Sequence, residues 1–211
     1  MDKASSQPVN APELVTGFTD QVANAQQTFR LLLKAMSEPG VIQHITEDKG
    51  VLILSPAAFA ACQMLLDQST SLWLAPEFDL PGIRKNLAFH TGTKFTGNRV
   101  EANFALCTAE TLLDLSLFSR GSAEYPETNC TMLLQTAQLG NEISGAIKLR
   151  LSGPGISSTH LLSINTLSAA VLDYLQKRPD PFPLGLDLII TAGCSMVCIP
   201  RTTHVEVLSC M

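Results

Sequence analysis

The chain has 211 residues, 45% apolar and only 16% charged, with a net charge of -5 and a mean hydropathy of +0.20. That length predicts one domain with a core of ample size, and the apolar excess points to surface buried against a partner or a second copy. The seven lysines and seven arginines are scattered without a basic run, which argues against nucleic acid as a main ligand.

Residues 1–20 are polar, hold no apolar signal core, and read as a flexible N-terminal arm ahead of one α/β domain over residues 21–211. Asn24, with Gln27 three positions on, is expected to cap a first helix. Phe29, Leu32, Leu33 and Met36 form its inward stripe, and Ser37-Glu38-Pro39-Gly40 ends it. Val41 to Ile45 and Val51 to Leu54 read as strands. Ser55-Pro56 caps a second helix with proline at its first position. The uncharged run from Val51 to Leu66 is broken by Ser55, Pro56 and Gln63 and is shorter than the ~20 residues a bilayer needs.

Ser71 to Ala75 predicts a strand, Pro81 to Ala88 a short helix, Asn103 to Cys107 a strand, and Thr108 to Leu115 a capped helix. Ser119 to Asn129 is a loop rich in turn formers. Cys130 to Ala137 and Ala146 to Ser152 are expected to pair, with Gly153-Pro154-Gly155 closing them off as a rigid turn. Thr166 is the expected cap of a helix through Lys177, with Leu167, Val171 and Leu175 inward. Leu186 to Thr191 and Met196 to Ile199 form a final hairpin. Helices interleaved with strands and hairpins predict a mixed sheet with helices on both faces.

The six cysteines show no CxxC pair and no metal-like cluster, so a reduced, cytoplasmic chain with packing cysteines is expected. There is no GxGxxG after a strand, no Walker A lysine, no HExxH and no GxSxG. The densest polar chemistry lies in Ile199 to Val207, which offers Arg201, Thr202, Thr203, His204 and Glu206. If extended, this segment turns Thr202, His204 and Glu206 to one face and Val205 and Val207 to the other.

Five segments together carry a resemblance. They are Phe29 to Gly40, Phe89-His90-Thr91-Gly92, Leu151 to Ile156, Pro181 to Ile189, and Ile199 to Val207. In order and spacing they closely resemble the PhnH family, a subunit of the bacterial carbon–phosphorus lyase machinery, from about Val22 to Val207. The resemblance implies a three-layer α/β/α sandwich similar to the large domain of pyridoxal-phosphate transferases, without that cofactor. It implies a homodimer assembled with the sister subunits PhnG, PhnI and PhnJ and, with PhnL, a part in a displacement on ATP. There an alkylphosphonate oxygen attacks C1′ of the ribose, adenine leaves, and ribose 1-alkylphosphonate 5-triphosphate forms.

On that reading, Arg201 offers a guanidinium fork to a phosphonate or triphosphate. His204 is the candidate proton donor to the departing base, with Glu206 orienting it or holding a metal. Arg30, His90 beside Thr91-Gly92, Thr202 and Asp187 are further ligand candidates. Asp187 interrupts an apolar strand and needs a partner, for which Arg201 is placed. The alternative for each is a solvated or internally paired group in a subunit that serves only assembly.

Overall fold

The computed structural model describes residues 13–47 and 49–208. In chain order its elements are α1 (Gln21–Ser37), β1 (Gln43–His44), α2 (Pro56–Leu65), β2 (Ser71–Leu74), α3 (Pro81–Thr91), β3 (Lys94–Phe95), β4 (Phe104–Thr108), β5 (Thr131–Gln135), β6 (Leu139–Gly140), β7 (Ile147–Ser152), β8 (His160–Ile164), α4 (Ala169–Lys177), β9 (Asp187–Ala192), β10 (Ser195–Ile199) and β11 (His204–Leu208). The fold is mixed α/β, as expected. Among the described residues the strands form two sheets rather than one. A seven-stranded sheet runs β1-β10-β9-β5-β4-β2-β3, and a four-stranded sheet runs β11-β7-β8-β6.

In the large sheet β3, β2, β4, β5 and β9 are parallel, β10 returns antiparallel to β9, and β1 pairs antiparallel with β10. The parallel strands read as unbroken apolar runs because both faces are covered. Leu188, Ile189 and Ile190 of β9 and Met132, Leu133 and Leu134 of β5 are all buried. The small sheet is antiparallel and alternates, with Leu149 and Leu151 inward and Lys148 and Arg150 outward on β7.

Helix α1 begins one turn before Asn24. Asp20 is the cap, and its carboxylate accepts the backbone N–H groups of Val22 and Ala23 at 3.1 and 3.0 Å. Its buried stripe is Thr28, Leu32 and Ala35; Phe29 and Leu33 face outward, 45% and 51% exposed. The expected stripe is therefore rotated, with Leu32 kept and Thr28 and Ala35 buried in place of Phe29 and Leu33. Helices α1 and α2 pack on β9 and β10, α3 packs beside α2, and α4 lies against β11.

Several other expectations change. Val51 to Leu54 is a tight turn, not a strand. Val51 and Leu54 exchange backbone hydrogen bonds at 2.9 Å and are buried, while Leu52, with a φ of 57°, and Ile53 point out. No helix follows Thr108, whose hydroxyl instead joins that of Thr111 in bonding Glu77. β5 and β7 do not pair: β5 sits between β4 and β9, and β7 pairs with β8 and β11. Ser168, not Thr166, caps α4. Ser55 caps α2 and the β9–β10 hairpin forms, both as the sequence predicts.

Residues 1–12 of the expected arm lie outside the described residues. Residues 13–20 are laid against α2 and α3: Asn86 accepts the Val15 N–H at 2.8 Å, and Gln63 accepts that of Phe18 at 3.2 Å. The Gly153-Pro154-Gly155 turn joins β7 to β8 and abuts the end of α1. A Cβ on Gly155, whose φ is 81°, would stand 2.0 Å from the Ser37 carbonyl oxygen, so only glycine fits.

Candidate functional site

The β9–β10 hairpin builds the centre of the C-terminal cluster. Its register sets Ile199 opposite Leu188, so the chain leaving β10 passes Asp187 at the start of β9. The Asp187 carboxylate accepts the Arg201 backbone N–H at 2.8 Å, its Nε at 3.1 and 3.2 Å, and its Nη2 at 2.5 Å. Asn129 Nδ2 adds a bond at 3.2 Å. Arg201 Nη1 donates to the carbonyls of Pro126 and Pro183, both at 2.9 Å. The two side chains are only 16% and 17% exposed. Asp187 thus has the partner its position demanded. The Arg201 fork is spent: of five N–H groups, one on Nη2 is left for a ligand.

A second polar layer adjoins this pair. Arg178 ends α4 with a left-handed φ of 41° and donates to the carbonyls of Thr203 and Pro200, each at 3.1 Å. The guanidinium groups of Arg120 and Arg178 both lie over the Tyr174 ring, 4.6 and 5.4 Å from its centre. Its hydroxyl donates to Asp180 at 3.2 Å and accepts the Leu186 N–H at 2.7 Å. Burial holds the Arg178 guanidinium below the ordinary arginine range and pushes the Tyr174 phenol up. Arg120 Nη1 lies 3.4 Å from Asp180, close enough for charge attraction but misaligned for a hydrogen bond. Sequence reasoning passed over Arg120, Tyr174, Arg178 and Asp180. The available signal was a tyrosine on the inward face of α4, one turn after Val171, followed by Arg178 and a prolyl-flanked aspartate.

Strand β11 keeps the predicted alternation over its own length. His204 and Glu206 are exposed, and Val205 is buried. Thr202 lies before the strand, in the turn that follows β10, and so does not share their face. Glu206 does not orient His204. Its carboxylate accepts Arg150 Nη1 at 2.9 Å, from the residue directly opposite on β7, and both partners are solvated. Arg30 stands exposed on α1 near Lys34.

His90 lies inside the last turn of α3, not after it, and Gly92 caps that helix. Its Nε2 is 2.8 Å from the Val15 carbonyl, and its ring meets Phe59 and Phe89 edge-on. The Thr91 hydroxyl donates to Leu87 at 2.7 Å. These groups pin residues 13–20 rather than cradle a phosphate. The structure therefore gathers Asp187, Arg201 and Thr202 at one open groove of about 380 Å³, walled by Pro126, Phe182 and Pro200. Arg30, His90, His204 and Glu206 belong to other surfaces.

Among the described residues no group of three or more His, Cys, Asp or Glu side chains is placed to hold a metal ion. Cys62 and Cys130 are packing groups whose thiols burial pushes up to about 12. No helix among the described residues is long and apolar enough to cross a membrane.

Residues 16–206 match the family described as "Bacterial phosphonate metabolism protein (PhnH)". The chain is 31% identical over 191 residues to the alpha-D-ribose 1-methylphosphonate 5-triphosphate synthase subunit PhnH of Rhizobium meliloti, covering 90% of this chain and 94% of that protein. It is 28% identical over 189 residues to HtxG of Stutzerimonas stutzeri, named as a C-P lyase subunit, covering 88% of each. A family match across nearly every described element, with a relative aligned over 94% of its own length, makes this chain a member of the PhnH family.

Proposed function

We propose that this chain is a non-autonomous subunit of the assembly that joins ATP to an alkylphosphonate, releasing adenine and forming ribose 1-alkylphosphonate 5-triphosphate. The observation that carries the reading is the end-to-end likeness to a relative named as a subunit of that synthase. In this reading the partners are PhnG, PhnI, PhnJ and PhnL, the chain works in the cytoplasm as a homodimer, and it needs no cofactor of its own. The three-layer arrangement and the kinship with the large domain of pyridoxal-phosphate transferases belong to the same reading.

Two features support dependence on partners. Two of the candidate charged groups are committed within the chain: Arg201 to Asp187 and two carbonyls, Glu206 to Arg150. Helix α1 turns Val22, Phe29 and Leu33 outward along one stripe, and burying each such side chain is worth roughly 1.5–3 kcal/mol. The same commitment of Arg201 favours a second reading, in which the subunit shapes the assembly and touches no reacting atom.

The test is adenine release from ATP and methylphosphonate. The purified chain alone should be silent, and the co-expressed assembly active. Adenine release by the lone chain would overturn the non-autonomous reading. A complex that keeps full activity with Arg201→Met and His204→Ala would select the assembly-only role.

A further inference from the structure

The connections of the large sheet diverge at β2 and β4. β2 leaves through α3 to β3 on one side, whereas β4 leaves through residues 109–130 to β5 on the other. All of these pairings are parallel. Where neighbouring parallel strands send their chains in opposite directions, a crevice opens past their carboxyl ends and ligands lodge there. The structure has a cleft of about 300 Å³ at that place, whose lining includes Trp73, Glu77, Arg99, Cys107, Thr111 and Asp114.

Its polar groups are prepared rather than spent. The Arg99 guanidinium lies over the Trp73 ring at 4.5 Å and over Phe118 at 5.7 Å. Among the described residues it makes no hydrogen bond or ion pair, so its plane is fixed while its donors are free. Glu77 accepts from the Thr108 N–H at 3.2 Å, the Thr108 hydroxyl at 3.0 Å and the Thr111 hydroxyl at 2.7 Å. All three bonds fall on Oε1, which leaves Oε2 as an acceptor. Asp114 is held by Ser116.

One cation faces two carboxylates across apolar walls. That balance disfavours a phosphate or phosphonate dianion. It suits a neutral flat ring that stacks on a guanidinium and donates an amine to a carboxylate. We propose that this cleft binds an amino-substituted planar nitrogen heterocycle of the nucleobase class. Arg99 stacks on the ring and Glu77 Oε2 accepts its exocyclic amine. The inference rests on the cleft alone and stands or falls apart from the assembly reading.

Trp73 is the sole tryptophan of the chain, so its fluorescence reports on this cleft. The experiment titrates the full chain with adenine, corrected for absorption with free tryptophan and checked by calorimetry. Inorganic phosphate and methylphosphonate serve as contrasting ligands. Adenine should give a saturable change that millimolar phosphate does not compete away. Glu77→Gln should weaken binding about tenfold through loss of a charge-assisted bond. Arg99→Lys, which keeps the charge and loses the plane, should weaken it comparably, with circular dichroism verifying that both variants fold. No saturable response to millimolar adenine would overturn the proposal. So would competition by phosphate, or binding unchanged in Arg99→Lys.

Discussion

Replacing Arg201 by alanine tests whether this guanidinium is a structural tie or a ligand fork. The substitution removes its side-chain bonds to Asp187 and the bonds from Nη1 to the Pro126 and Pro183 carbonyls. Asp187, 17% exposed, would retain only the backbone N–H of residue 201 and Asn129 Nδ2 as donors. Breaking a buried pair by deleting one partner costs about 3–5 kcal/mol, because an uncompensated charge is left behind. At roughly 2–4 °C per kcal/mol for a chain of this size, the midpoint of thermal unfolding should fall by about 6–20 °C. Removing both charges in Asp187→Leu/Arg201→Met should cost less than the two single changes added, with a coupling of about 0.5–3 kcal/mol. Urea unfolding of the native chain, Arg201→Ala, the two single changes of the cycle and the double change gives the free energies, and thermal unfolding gives the midpoints. A loss under about 1 kcal/mol in Arg201→Ala, the size of an exposed pair, would refute the structural assignment and return the fork to ligand binding.

Gly155→Ala should destabilise by about 1–3 kcal/mol through overpacking against Ser37. Gly145→Ala, also at positive φ but with nothing near its Cβ, isolates the backbone part; equal urea midpoints would show that the contact costs nothing. Glu206→Gln breaks only the solvated pair with Arg150 and should change stability by less than about 1 kcal/mol, measured by the same unfolding. Burial pushes the Glu77 carboxyl up, but hydrogen bonds from Thr111, its own backbone and Thr108 outweigh it and hold the group below its ordinary 4.5. A depressed folded value means the contribution is present above pH 4.5 and is lost as pH falls through that folded value. The stability gap between the native chain and Glu77→Gln should therefore be constant near neutrality and close in acid, as acid-titrated unfolding would reveal. Phe29→Glu with Leu33→Glu should abolish self-association or assembly on sizing while leaving the unfolding midpoint nearly unchanged, because both side chains already face outward.

The parts of the fold legible in the sequence are those set by neighbours along the chain. Ser55-Pro56 announces α2 because a hydroxyl cap and a fixed φ act within one turn. The β9–β10 hairpin is legible because two apolar runs flank Gly193, which turns with a φ of 55°. The same locality made the Asp187–Arg201 pair predictable, since a hairpin carries its two ends side by side. What escaped is set at a distance. β5 looks like a partner for β7, yet it finds β4 and β9, because pairing in a parallel sheet is decided by crossovers rather than by the strand's own residues. The Tyr174 layer escaped likewise, since Arg120 arrives from a distant loop to join Arg178 at the end of α4. Glu206 was misread because its partner, Arg150, belongs to a strand whose pairing with β11 no local pattern specifies.

Four of the five segments that carry the family resemblance meet in pairs, and the contacts are architectural. Residues 35–40 and 151–156 join where Gly155 touches the end of α1. Residues 181–189 and 199–207 join through Arg201, which ties Pro183 and Asp187 to the turn after β10. A glycine that nothing else can replace and an arginine with four engaged N–H groups are demands of the backbone, whichever ligand the chain serves. The motifs that identify the family thus mark how the chain closes on itself. The open chemistry lies elsewhere, where Arg99 and Glu77 keep free donors and a free acceptor at the ends of β2 and β4. A variant at Arg201 should therefore fail first in folding, and a variant at Glu77 first in binding. That difference separates scaffold from site in this protein.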